Sequence, residues 1–208
     1  MLEEWIRQHK IIAILRKVPL SSTERYLDAL CRGGIRMVEV ALNSPDALRQ
    51  IEWIRAHYDG KLRVGGGTAV TQALAKDAVR AGAEYLLTPS VCPEVLEYCR
   101  EENVPLLPGV MTPSDVSACL RYGYRTLKLF PAGDLPAGYV KSLKGPFSQT
   151  EYVAVGGVSA ANIGGFFRRG FIGAGIGSNL FPRELIAQER WEEARASVAA
   201  LLESVRGF

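Results

Sequence analysis

With 208 residues, 48% apolar and 23% charged, the chain has the makings of one soluble globular domain whose core buries most of its apolar surface. The formal net charge is only +3, with no dense run of Lys and Arg, which argues against nucleic acid as a partner; no stretch approaches the roughly 18 continuous apolar residues of a membrane span. Two isolated histidines and four cysteines without a CxxC pair make no metal-ligand pattern, so no metal is expected and the chemistry falls to Lys, Glu, Arg, Thr and backbone groups.

The first ten residues mix Glu3, Glu4, Arg7 and His9 with apolar residues, which predicts an amphipathic helix over about 1–9 rather than a secretory signal. Short β-branched runs then alternate with helical stretches. The strand candidates are 11–16 (IIAILR), 36–42 (RMVEVAL), 62–67 (LRVGGG), 84–88 (EYLLT), 105–109 (PLLPG), 125–130 (RTLKLF), 152–157 (YVAVGG) and 171–177 (FIGAGIG). Capping residues open several helices, notably Ser21 or Ser22, Ser44 ahead of Pro45, and Thr112 ahead of Pro113. Gly33, Gly82, Gly123 and Gly170 close others, and a last helix is expected over about 183–205. Cys31, Cys92, Cys99 and Cys119 fall inside predicted helices and read as reduced thiols, which suits the cytoplasm.

Strict alternation argues for a parallel sheet, and eight units at roughly 21 residues each favour closure into a compact (β/α)8 TIM barrel with an extra N-terminal helix. No linker divides the chain, so residues 1–208 are expected to form a single domain.

The alternation inside the strands points to chemistry. In RTLKLF, Leu127 and Leu129 share one face, while Thr126, Lys128 and Phe130 share the other. The apolar face must meet the helix layer, so Lys128 is expected in the barrel lumen. The same pattern sends Val38, Val40 and Leu42 outward and Glu39 inward. It also groups Ile12, Ile14 and Arg16, with Arg16 at the C-terminal strand end where barrel active sites lie. Buried charges cost stability unless paired, so one reading is a structural Lys128–Glu39 ion pair. The other is a nucleophile. At a reference pKa of about 10.4, lysine is neutral in only about one molecule in 2,500 at pH 7. Reaching 7–8 takes roughly 3–4 kcal/mol, to which desolvation and the Arg16 cation both contribute. A neutral amine can then attack a ketone, the iminium acts as electron sink, and Glu39 shuttles protons.

Gly156-Gly157 follows the seventh predicted strand, and Gly175-Ile-Gly177-Ser178-Asn179 ends the eighth. Such loops recur as the phosphate cup of this fold, because glycines let main-chain N–H groups approach an anion. Gly65-Gly66-Gly67-Thr68, after the third strand, is either a strained turn or a place for a substrate carboxylate against main-chain N–H groups and the Thr68 hydroxyl. Pro89 and Phe130 would wall the pocket.

Taken together, IAILR, VEVALNSP, VGGGT, LLTPS, LLPGVMTPSD, TLKLFPAG, LKGPF, AVGGV and GAGIGS resemble the family of 2-keto-3-deoxy-6-phosphogluconate (KDPG) and 2-keto-3-deoxy-6-phosphogalactonate (KDPGal) aldolases, whose members also cleave 4-hydroxy-2-oxoglutarate. The resemblance covers nearly the whole chain. It implies Lys128 as the Schiff-base lysine and Glu39 as general acid/base. It implies Thr68 with Gly66 and Gly67 at the substrate carboxylate, Pro89 and Phe130 as walls, and Gly156, Gly157, Gly177 and Ser178 at the phosphate. It further implies a phosphorylated keto acid and pyruvate as ligands, a homotrimer, and no metal or organic cofactor. Two positions depart from the gluconate pattern. Asn43 stands where many relatives carry an arginine to the carboxylate, a charge that Arg16 is expected to supply instead. Val155 stands where they often carry threonine near the C4 hydroxyl, and losing that hydroxyl would change how C4 is read. These two positions lean to galactonate and TPSD, LKLFPAG and LKGPF to gluconate, leaving the isomer open. The competing readings are a phosphosugar isomerase or epimerase on the same barrel, and a non-catalytic phosphosugar-binding module.

Overall fold

The computed structural model describes residues 1–208, the side chain of Arg183 excepted. Nine short parallel strands run β1 (Ile11–Leu15), β2 (Met37–Ala41), β3 (Arg63–Gly67), β4 (Tyr85–Leu87), β5 (Leu106–Leu107), β6 (Gly109–Val110), β7 (Thr126–Leu129), β8 (Glu151–Val155) and β9 (Gly173–Ile176). The helices are α1 (Leu2–His9), α2 (Thr23–Gly33), α3 (Ala47–Tyr58), α4 (Gln72–Arg80), α5 (Pro93–Glu101), α6 (Pro113–Arg121), α7 (Tyr139–Lys144), α8 (Ile163–Arg168), α9 (Arg183–Ala187) and α10 (Trp191–Ser204).

The sheet order is β5-β4-β3-β2-β1-β9-β8-β7-β6. Its two edges, β5 and β6, are halves of one strand, so the sheet closes on itself as a barrel of eight strand positions. The strand expected over 105–109 is split because Pro108 has no N–H to give the ladder. Its carbonyl still accepts from the Lys128 N–H at 2.9 Å, and Thr88 Oγ1 accepts from the Gly109 N–H at 3.0 Å. Both bonds hold the seam beside the strand that carries Lys128.

Two apolar layers result from the alternation. Val38, Val40, Leu127 and Leu129 face the helices, as expected, and join the outer core. Ile12, Ile14, Met37, Tyr85, Leu87, Leu107, Val153 and Val155 fill the lumen. Leu2 and Ile6 of α1 join that inner cluster and plug the barrel from below. Gly173 makes room for the plug, since a Cβ there would lie 2.5 Å from Ile6 Cγ2. Thr126, at the bottom of β7, donates to Glu3 of α1 at 2.8 Å.

Helix ends follow the predicted chemistry in part. Thr112 and Asp115 cap α6 reciprocally, with Pro113 in the first turn. Gly82, Gly123 and Gly170 all take positive φ at helix ends. After α2 the left-handed residue is Gly34, not Gly33; Gly33 lies inside the helix, and a Cβ on it would come 2.7 Å from Val198 of α10. Ser44 does not cap α3, whose N-cap is Asp46. Its hydroxyl instead accepts from the Lys17 N–H at 3.0 Å. The single helix expected over 183–205 is two, α9 and α10, separated at Glu189, which takes a φ of 53°.

Candidate active site

A cavity of about 400 Å³ opens at the C-terminal end of the strands. β7 delivers Lys128 to it and β2 delivers Glu39, both by the alternation that puts their neighbours in the outer core. Lys128 is 5% exposed and Glu39 is 1% exposed. Burial of charge on this scale is costly without compensation. Among the described residues neither side chain forms a salt bridge within 4.0 Å, and Glu39 Oε2 has no hydrogen-bond partner. A structural ion pair would have consumed both groups; here an amine and a carboxylate oxygen remain available to a third molecule.

The electrostatics push both groups toward their neutral forms. Burial holds Lys128 below the ordinary lysine pKa; the negative Glu39 opposes this and the Arg16 cation adds to it. Burial raises the Glu39 carboxyl, with Lys128 and Arg16 pulling it back. The Lys128 Nζ also lies 5.3 Å from the centre of the Phe130 ring.

Three glycines of β3 do different jobs. A Cβ on Gly67 would overlap the Glu39 carboxylate, so this glycine makes the seat in which Glu39 lies. A Cβ on Gly65 would lie 2.5 Å from the Tyr85 ring, which floors the site and donates to the Val38 carbonyl at 2.7 Å. Gly66 faces the other way, toward Ala78 of α4 and Leu86. Gly66 therefore faces the outer layer and Gly67 lies against Glu39, while Thr68, in left-handed conformation at φ 62°, lines the cavity.

The remaining predicted residues divide similarly. Arg16, Pro89, Phe130 and Val155 line the cavity. Asn43 does not; its Oδ1 accepts from Arg16 Nη1 at 3.1 Å and so orients that cation. Gly156, Gly157, Gly177 and Ser178 form the far rim. The φ values of 88° and 73° at Gly156 and Gly157 exclude most side chains, and a Cβ on Gly157 would lie 2.9 Å from Gly133 Cα. The pair is needed for loop packing whatever it binds.

Sequence reasoning missed Lys17 and Val158, which also line the cavity, as does Asn179 of the glycine-rich segment after β9. Lys17 lies beyond the strand period in a turn with φ 56°, so no alternation rule reached it. A second cleft of about 360 Å³ lies at the opposite end of the barrel, lined by His9, Arg36, Arg55, Lys61, Arg63 and Glu84 among others. Its Arg55 and Arg63 are both paired with Glu84, and it offers no buried amine.

Comparison with known proteins decides the family. A family model described as KDPG and KHG aldolase matches residues 2–197. The chain belongs to this aldolase family. It is 29% identical to a 2-dehydro-3-deoxy-6-phosphogalactonate aldolase of Escherichia coli over 204 residues, covering 98% of this chain and all of that protein. It is 32% identical to a 2-dehydro-3-deoxy-phosphogluconate aldolase of Pseudomonas aeruginosa over 171 residues, 80% of this chain and 76% of that one. Among solved structures, KDPG aldolase from Legionella pneumophila, with pyruvate captured as a covalent carbinolamine, superposes with a TM-score of 0.88 at 27% identity, covering 97% of this chain and 98% of that one.

Proposed function

We propose that this aldolase cleaves a six-carbon 2-keto-3-deoxy-6-phospho sugar acid, of the gluconate or galactonate series, to pyruvate and D-glyceraldehyde 3-phosphate through a Schiff base on Lys128. The observation that carries the reading is the buried Lys128 amine, held toward neutrality in one cavity with an unpartnered Glu39 oxygen. The neutral amine adds to the C2 ketone to give a carbinolamine, whose hydroxyl takes the proton of the Glu39 carboxyl and leaves as water, giving the iminium and the Glu39 carboxylate. Glu39, as base, takes the C4 hydroxyl proton. The C3–C4 bond breaks, its electron pair passes into the iminium, and the aldehyde leaves. Glu39, now protonated, returns the proton to C3 of the enamine, and water releases pyruvate and the free lysine. Arg16, oriented by Asn43, would meet the carboxylate together with Thr68; Gly156, Gly157, Gly177 and Ser178 would receive the phosphate on main-chain N–H groups and a hydroxyl. The apolar Val155 faces the middle of the substrate and offers no hydrogen bond at C4, which favours the galactonate isomer. Cleavage of 4-hydroxy-2-oxoglutarate would use the same chemistry without the phosphate.

A homotrimer in the cytoplasm belongs to the same proposal. The four cysteines are free thiols, and no helix is long and apolar enough to cross a membrane. Val70 and Met111, large apolar residues on loops at the C-terminal end of the barrel, are exposed and would be covered by a second copy.

The purified protein should release pyruvate from both isomers, assayed side by side, and faster from the galactonate one. Lys128→Met should abolish turnover. An isomerase that merely pairs this lysine with Glu39 would keep working in the Lys128→Met variant, and a non-catalytic module would release no pyruvate at all.

A further inference from the structure

One cation in the cavity has no part in the bond-making chemistry. Lys17 follows Arg16 at the end of β1, lines the cavity, and is exposed toward its mouth. Its backbone is fixed rather than loose. The left-handed φ of 56° costs a non-glycine residue about 1 kcal/mol or more, and the Lys17 N–H is held by Ser44 Oγ at 3.0 Å. Arg16 uses one N–H, on Nη1, for Asn43 and keeps the rest of its guanidinium, whereas the Lys17 ammonium has no side-chain partner among the described residues.

Lys17 and the far rim line the same cavity, and the end of β1 runs beside that rim. β1 and β9 pair in the register Ala13↔Ile176, so the end of β1 runs alongside residues 177–179. Ile14 lies beside Gly177, where an added Cβ would come to 3.6 Å from Ile14 Cβ. Asn179 ties the same loop to the loop after β8, its amide donating to the Val158 carbonyl at 3.3 Å. The rim at which a distal group would arrive is therefore braced from both sides.

Charge bookkeeping shows what that rim lacks. A phosphate ester carries about −1.5 to −2 at neutral pH. Main-chain N–H groups and Ser178 can hydrogen-bond it but bring no net charge. Arg16 faces the carboxylate, and Lys128 must be neutral to react. Lys17 is the cation left over.

Resting on the aldolase reading of this site, we propose that Lys17 is a specificity-determining residue that selects keto acids ending in a phosphate over those ending in a carboxylate or hydroxyl. A lysine suits the task because its ammonium is a compact point charge on a flexible stem, able to follow a tetrahedral anion.

The test compares native protein, Lys17→Met and Lys17→Arg on the six-carbon phosphorylated acid and on unphosphorylated 4-hydroxy-2-oxoglutarate. Lys17→Met should lower the ratio of kcat/KM for the phosphorylated over the unphosphorylated substrate by about tenfold or more, chiefly through KM, and should flatten the rise of KM with salt. Lys17→Arg should restore most of the ratio. An unchanged ratio, or an equal loss on both substrates, would overturn the assignment. Failure of the aldolase reading itself would show separately, as native protein that forms no covalent adduct with pyruvate.

Discussion

At the scale of single residues, the site is made by what is missing as much as by what is present. Glu39 occupies the space that a side chain on Gly67 would need, whereas Gly66 looks outward at Ala78 and Leu86. Gly67→Ala should therefore displace the carboxylate and cut kcat by about 10²–10⁴, the range for losing a positioned acid/base, with the fold intact by circular dichroism. Gly66→Ala must accommodate contacts of 3.0 and 3.1 Å in the outer layer, so it should cost about 1–3 kcal/mol in urea unfolding and leave kcat nearly native. The sequence shows four residues, Gly65 to Thr68, as one glycine-rich turn and cannot distinguish these jobs; only the pleat, which sends consecutive Cβ vectors to opposite faces, separates them. Arg16 gives a pH prediction. Its positive charge adds to the lowering of the Lys128 pKa, so Arg16→Met should let that pKa rise. Less neutral amine is then present at any given pH, and the acid limb of the Lys128 reaction should move to higher pH; a limb that stays put would show that Arg16 acts on substrate alone. Because Lys128 and Glu39 titrate against each other, the limb belongs to the pair.

At the scale of elements, α1 and the β5–β6 seam decide whether the lumen stays dry. α1 was legible as an amphipathic helix from its spacing of apolar and charged residues, but not as a plug, because its partners Ile12, Met37 and Ile172 lie elsewhere in the chain. Ile6 is 1% exposed within that cluster, so Ile6→Ala should cost about 2–5 kcal/mol in urea unfolding. Rim residues far from the plug should keep their geometry, so activity at low urea should fall less than stability does. The strands themselves were read within a residue or two because period-2 alternation is a local signal. Their exceptions are local in another sense: Pro108 breaks a ladder, Ser44 gives up a cap to hold the Lys17 turn, and Glu189 breaks a helix. Each depends on a backbone angle or a distant partner that residue type alone does not announce.

At the scale of the whole molecule, closure of eight strand positions brings together side chains far apart in the chain, Arg16 and Glu39 from one half and Lys128 from the other. The lumen charges stood out in the sequence because charged residues alternate with apolar ones in strands that otherwise bury everything. The assembly of the whole was less legible, since an exposed Val70 or Met111 says only that apolar surface is available. Light scattering should give a particle of three times the 22.7 kDa chain mass, and a monomer at assay concentration would remove the trimer from the account. The central claim, however, concerns one amine. Incubation with pyruvate and borohydride, followed by peptide mass spectrometry, should find a reduced pyruvyl adduct on Lys128 and none in Lys128→Met; an unmodified Lys128, or an adduct on another lysine, would contradict it.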